Sequence, residues 1–268
     1  MEAFALTDVG KCRDMNQDAV YAQCTPIGNL KNLFVVADGM GGHQAGDYAS
    51  SYAISRLQEL ICKEQDRTAS ELFERAFQIV NYEVFEKGYS KIEFYGMGTT
   101  LVACTLDENR VLTVANVGDS RLYVYNKEKG LRQITRDHSY VEELVRKGQL
   151  TRDSELYQQS KNIITRAIGA SEEVKTDIFQ LELEPKDQIL LCSDGLTNMV
   201  PDYLISLLLA IPDSAQDKVK QLIWEANHAG GSDNISAVLI RLEPENGLEH
   251  EAAEAVPDDI SEEETRGL

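Results

Sequence analysis

Short apolar or alternating runs, bounded by Gly, Asp and Asn, dominate the chain. EAFALTD from Glu2, AVYAQC from Ala19, KNLFVVAD from Lys31, TTLVACTL from Thr99, RVLTVANVG from Arg110 and RLYVYN from Arg121 come first, and VKTDIFQLEL, DQILLCSD and NISAVLIRL follow. Branched and aromatic side chains fill a pleated, half-buried surface, so these runs predict strands. Two stretches change period. Ala45, Tyr48, Ala49, Tyr52, Ala53, Leu57 and Leu60 share one helical face, and Leu72, Phe73, Ala76, Phe77, Val80 and Val84 share another. Two further helices are predicted from about Asp202 to Leu209 and from Ala215 to Asn227. Helices in pairs between blocks of consecutive strands imply an antiparallel α+β domain and argue against regular βαβ alternation. The polar segment 139–163 separates two strand blocks and carries two short predicted helices, as a functional flap does more often than a connector.

Charge narrows the function. Of 268 residues, 26 are Lys or Arg and 45 are Asp or Glu, a formal net charge of −19. No basic footprint exists for a nucleic-acid backbone, and an anionic membrane surface would repel the chain. The longest nearly apolar run, Leu204 to Ile211, is far short of the roughly 20 residues that span a bilayer. The start MEAFALTDVGKC lacks the basic and apolar regions of a secretory signal. About half the negative charge belongs to residues 243–268, which hold ten acids and one base. With no aromatic residue there, a disordered acidic tail is expected after a domain spanning 1–242. Five dispersed cysteines without a CxxC pair fit a reducing cytosol, so a cytoplasmic location is expected. Four histidines without metal-ligand spacing argue against a nitrogen–sulfur metal site.

Aspartates recur beside apolar strands and glycines: Asp38 in LFVVADGMGG, Asp119 in LTVANVGDSR, Asp194 in ILLCSDGL and Asp233 in GGSDNISAVLI. Each alone reads most simply as a turn. Four together imply converging strand ends, and clustered carboxylates repel unless a cation neutralises them. All-oxygen ligands favour Mg2+ or Mn2+, with the Gly39 carbonyl available to the shell. Arg13, in GKCRDMNQD, is suited to bidentate phosphate recognition, although a surface arginine more often only pairs with an acid.

RDMNQD, VADGMGGHQAG, GMGTTLVA, ANVGDSRLY, RDHSYVEELVRKGQL, NIITRAIG, LLCSDGLTNMV and GGSDNIS resemble, in order, the motifs of PP2C-type (PPM) metal-dependent serine/threonine protein phosphatases. The chain is similar to a compact bacterial member over residues 2–241. The resemblance implies a four-layer αββα sandwich, two central antiparallel sheets flanked by helix pairs, with a flap about 139–163. It implies two Mn2+ or Mg2+ ions, a third in bacterial relatives, and hydrolysis of phosphoserine and phosphothreonine by a metal-activated water. By that resemblance Asp38 bridges both metals and the Gly39 carbonyl binds the first. Asp194 and Asp233 bind the second, and Asp119 with Asp194 forms the third site. Arg13 holds the substrate phosphate and Asp18 orders waters. The expected partners are phosphorylated proteins and a cognate serine/threonine kinase, and the expected state is a monomer.

Some positions depart from the family. Gln17 and Asn198 stand where relatives carry glutamate and aspartate, and Met40 stands where animal relatives carry a histidine, so His43 is not assigned as the general acid. His138 reads equally as a structural or a catalytic residue. A phosphoprotein-binding module of the same fold that does not hydrolyse is the alternative, marked by loss of a metal aspartate; Asp38, Asp194 and Asp233 are all present. A cysteine phosphatase built on Cys104 and Arg110 is disfavoured because the intervening TLDEN lacks the glycines of a phosphate loop. A dinucleotide site in GMGGHQAG fails because Gln44 stands where the third glycine belongs.

Overall fold

The computed structural model describes residues 1–242 apart from 43, 44 and 65. His43 and the acidic segment 243–268 therefore lie outside the described residues. Among the described residues eleven strands form: β1 (Glu2–Asp8), β2 (Asp18–Gln23), β3 (Leu33–Met40), β4 (Gly98–Thr99), β5 (Leu101–Leu106), β6 (Val111–Val117), β7 (Arg121–Asn126), β8 (Gly130–Gln133), β9 (Asp177–Glu182), β10 (Gln188–Cys192) and β11 (Ile235–Arg241). The helices are α1 (Ala45–Lys63), α2 (Ala69–Ser90), α3 (Tyr140–Arg146), α4 (Glu155–Ser160), α5 (Asp194–Thr197), α6 (Asp202–Ala210) and α7 (Ala215–His228), with a 3-10 turn at Ile92–Phe94.

One sheet runs β1-β11-β10-β7-β8 and the other β2-β3-β5-β6-β9, with β4 paired to β3. Every pairing is antiparallel. Period-two alternation sorts the side chains into layers. On β3, Leu33, Val35 and Ala37 pack against α1 and α2, whereas Phe34 and Val36 face the other sheet. On β10, Leu190 and Cys192 pack beneath α6 and α7, whereas Ile189 and Leu191 face β3 and its neighbours. Three apolar layers thus make the four-layer αββα sandwich. Each fully buried Leu, Ile or Phe contributes about 1.5–3 kcal/mol relative to exposure.

The buried face of α1 is Ala45, Gly46, Ala49, Ser50, Ala53, Ile54, Leu57, Leu60 and Ile61. Tyr48 and Tyr52, expected on that face, sit at its margin and stack on each other. The small residues in the first turns let α1 press on β3, where the Gly46 carbonyl lies 2.1 Å from the point a Cβ on Gly39 would occupy. Helix α2 starts at a capping box, in which the Thr68 hydroxyl accepts from the Glu71 N–H and the Glu71 carboxylate accepts from the Thr68 N–H. Residues 139–163 leave the sandwich between β8 and β9, carry α3 and α4, and close with a bridge between Ser139 and Ile164. Among the described residues no helix is long and apolar enough to cross a membrane.

Candidate active site

The aspartates singled out in the sequence meet at one end of the sandwich, between the two sheets. Asp38 does not end a strand, as expected from the sequence; it lies within β3, directly opposite Asp18 on β2. Alternation continues the Phe34 and Val36 face, so Asp38 points between the sheets. Its backbone is committed elsewhere. The Asp38 N–H donates to Thr100 Oγ1 at 2.9 Å, and its carbonyl accepts from the Thr100 N–H at 2.8 Å and the Thr99 hydroxyl at 3.0 Å. Gly39 follows with no room for a side chain, since a Cβ would also lie 2.5 Å from the Gln17 carbonyl.

Asp194 and Asp233 come from the facing sheet. Ser193 follows β10 at the N-cap position of α5, and its hydroxyl, free of any capping bond, reaches across to donate to Asp18 Oδ2 at 2.8 Å. Asp194 then opens α5 and accepts from Asn198 Nδ2 at 2.9 Å. Asp233 precedes β11 and accepts from its neighbour's N–H at 2.8 Å. Its other oxygen receives Arg13 Nη2 at 2.9 Å. Asn234 locks this corner: its amide donates to the Val9 and Met15 carbonyls, both at 2.9 Å, and its Oδ1 accepts the Gln17 N–H at 2.8 Å. Asp119 follows β6 through Gly118, whose φ of +112° is open to glycine and whose absent Cβ would lie 2.6 Å from the Thr100 side chain.

Burial and mutual repulsion weaken four acids of this cluster, Asp18, Asp38, Asp119 and Asp194. Burial pushes Asp18 up to about 7, opposed by the Ser236 and Ser193 hydroxyls and reinforced by Asp194 and Asp233. Burial, then Asp194 and Asp137, push Asp119 up to about 8. Asp38 is raised well above the carboxylate range by burial and then by Asp18, Asp194, Asp119 and Asp233. Asp194 is raised by burial and then by Asp233. Asp18 Oδ1 and Asp119 Oδ1 are buried without a hydrogen-bond partner. Among the described residues no three acidic, imidazole or thiol groups are already closed around a common point; Asp233 is held by Arg13 and Asp194 by Asn198.

The model of the protein phosphatase 2C family matches residues 12–230. The chain belongs to the protein phosphatase 2C family. It is a PPM-type serine/threonine phosphatase, similar over nearly its whole described length to bacterial members. The serine/threonine phosphatase stp of Listeria monocytogenes is 39% identical over 249 residues, covering 90% of this chain and 95% of that protein. Among solved structures, the Streptococcus agalactiae serine/threonine phosphatase superposes with a TM-score of 0.82 at 35% identity, covering 90% of this chain and 99% of that one. The catalytic domain of the phosphatase PstP, determined with two manganese ions, has a TM-score of 0.78 at 33% identity, covering 90% of this chain and 98% of that one.

No accessible thiol stands at this site among the residues singled out. Cys104 is fully buried on β5 and burial pushes its thiol far up, so it is inert at neutral pH. The flap residues Tyr157, Lys161 and Asn162 line a cleft with Asp119 and Asp194. Trp224 and Tyr203 are both largely exposed on the outer helices, away from the core. Ser193, Asn234 and Thr100 were not singled out from the sequence. Each lies inside a motif quoted above, one residue from a glycine, threonine or aspartate of the site, which was the available signal.

Proposed function

We propose that this phosphatase removes phosphate from phosphoserine and phosphothreonine on proteins in a metal-dependent reaction and reverses a cognate serine/threonine kinase. The observation that carries the reading is the cluster of Asp18, Asp38, Asp119, Asp194 and Asp233, in which burial and repulsion weaken the first four acids and two buried carboxylate oxygens are orphaned. Uncompensated negative charge among oxygen donors fits a hard divalent cation, so the residues present suit Mn2+ or Mg2+. The two manganese ions of PstP support metal dependence with at least two such ions. Asp38 and the Gly39 carbonyl would hold the first ion, Asp38, Asp194 and Asp233 the second, and Asp119 with Asp194 a third. When bound, such ions supply Lewis acidity and lower the pKa of a water.

The chain's own groups do the rest. Arg13 keeps half its side chain exposed and presents a planar fork to the phosphate, while its present partner Asp233 is freed for the cation. Asp18, fixed by Ser193, orients water beneath Asp38. The flap residues 139–163 border the cleft and meet the protein substrate, within a phosphatase domain spanning 1–242. A cytoplasmic monomer acting in signalling fits the acidic composition and the dispersed cysteines. The test is Asp38→Asn with a phosphothreonine peptide and manganese. Turnover falls by several orders of magnitude with the melting temperature kept; near-normal manganese-dependent turnover overturns the assignment.

A further inference from the structure

His138 is 6% exposed and lies where both ends of the flap rejoin the sandwich. Its Nδ1 accepts the Gly118 N–H at 3.0 Å, and its own N–H donates to the Gly118 carbonyl at 3.0 Å. One residue thus holds both polar groups of the glycine that precedes Asp119. With Nδ1 accepting, the ring proton sits on Nε2, 3.2 Å from Asp177 Oδ2. Arg166 Nη1 lies 2.9 Å from the same nitrogen and 2.8 Å from Asp177 Oδ1. The His138 carbonyl accepts the Thr165 N–H at 2.8 Å, so the outgoing and returning ends of the flap both close on this residue.

Gly118 needs such a hold, because its φ of +112° lies outside the range that regular strand pairing stabilises. Asn116 Nδ2 adds a contact to the Gly118 carbonyl at 3.3 Å and one to the Arg136 carbonyl at 3.2 Å. On the far side of Asp119, Arg121 is gripped by Asp137 at 2.7 Å. Residues 137 and 138 therefore grip the Asp119 turn from both sides. From that turn a buried chain continues inward. Ser120 Oγ meets Thr100 Oγ1 at 2.7 Å, and Thr100 Oγ1 accepts the Asp38 N–H at 2.9 Å.

We propose that His138 is a positioning residue, a clasp that registers the flap on the Asp119 turn and, through Ser120 and Thr100, on Asp38. It touches neither substrate nor reacting atoms. Its role is to keep the polar flap and two carboxylates from opposite parts of the chain in one fixed relation. The effect on turnover rests on the phosphatase reading above; the mechanical link does not.

Hydrogen–deuterium exchange of the full chain, without metal or substrate, tests the link. In His138→Ala, exchange rises about tenfold or more at Gly118–Ser120 and across 139–166 together, while β3, β5 and β10 keep their protection. His138→Asn, whose Oδ1 can accept the Gly118 N–H, restores protection at the turn and not at the flap root. Asp177→Asn leaves the imidazole in place, and loosens both segments to a smaller extent. With manganese and a phosphopeptide, kcat of His138→Ala falls about 10–100-fold and is partly recovered in His138→Asn. The clasp is refuted if only one segment loosens in His138→Ala, if neither moves in Asp177→Asn, or if protection falls evenly over the core strands. Joint loosening with unchanged kcat would uphold the link and overturn its bearing on catalysis.

Discussion

Replacing Gly195 by alanine sets two known effects against each other at the point where Asp194 and Asp233 meet. In a helix, Gly→Ala gains about 1 kcal/mol of propensity. Here the added Cβ would lie 1.9 Å from the Asn234 carbonyl oxygen and 2.9 Å from its carbon, whereas ordinary van der Waals contact begins near 3.4 Å. Asn234 gives little, because its side chain is bonded to the Val9, Met15 and Gln17 backbones. The first turn of α5 must therefore retreat by about 1.5 Å, an overpacking cost of about 1–3 kcal/mol that offsets or exceeds the propensity gain. Net destabilisation is at most about 2 kcal/mol, or a fall of up to about 8 °C in melting temperature for a chain of this size. Activity suffers more, since Asp194 moves with α5 and a misplacement of about 1 Å costs about 100-fold. Calorimetry gives the first number and manganese-supported kcat/KM on a phosphothreonine peptide the second. Activity within about threefold of wild type would refute the claim that close packing of α5 on β11 sets the site.

Two further outcomes separate the carboxylate chemistry from its rivals. Cys104→Ala removes one fully buried sulfur at a cost of about 1 kcal/mol and leaves manganese-dependent turnover unchanged; a tenfold loss would return the thiol to consideration. In EDTA, Asp18 and Asp119 bind protons more tightly folded than unfolded, with folded values of about 7 and about 8 against an ordinary 3.8. Their stabilisation is complete below the ordinary value and is lost as pH rises through 7 to 8, so metal-free melting temperature falls between about pH 5 and about pH 8. Added manganese raises melting temperature more at about pH 8 than at about pH 5, and an equal rise at both would contradict the linkage.

The strands and helices were legible wherever the apolar period was sustained. β4 and β8 were missed because two residues, and a half-exposed GLRQ, carry no period to read. Tyr48 and Tyr52 pack against the core at the margin of the first helical face, only partly buried. Gly46 and Ser50 are buried there because tight approach to β3 favours small residues, which hydrophobicity alone does not score.

The residues of the site were present in the sequence as aspartates beside glycines, and the ordered motifs named the family. Their arrangement was not. A sequence lists Asp38 after Val35 and Val36, but strand alternation and the packing of two sheets decide that it faces inward beside Asp18. The ion pair of Arg13 with Asp233 and the bond of Ser193 to Asp18 join residues far apart along the chain. Local propensity and period act over a turn or a strand, so the sequence alone determined the elements and the kind of chemistry. Burial and carboxylate repulsion depend on which faces meet, so only the tertiary structure decided how weak those acids become and which backbone groups hold them.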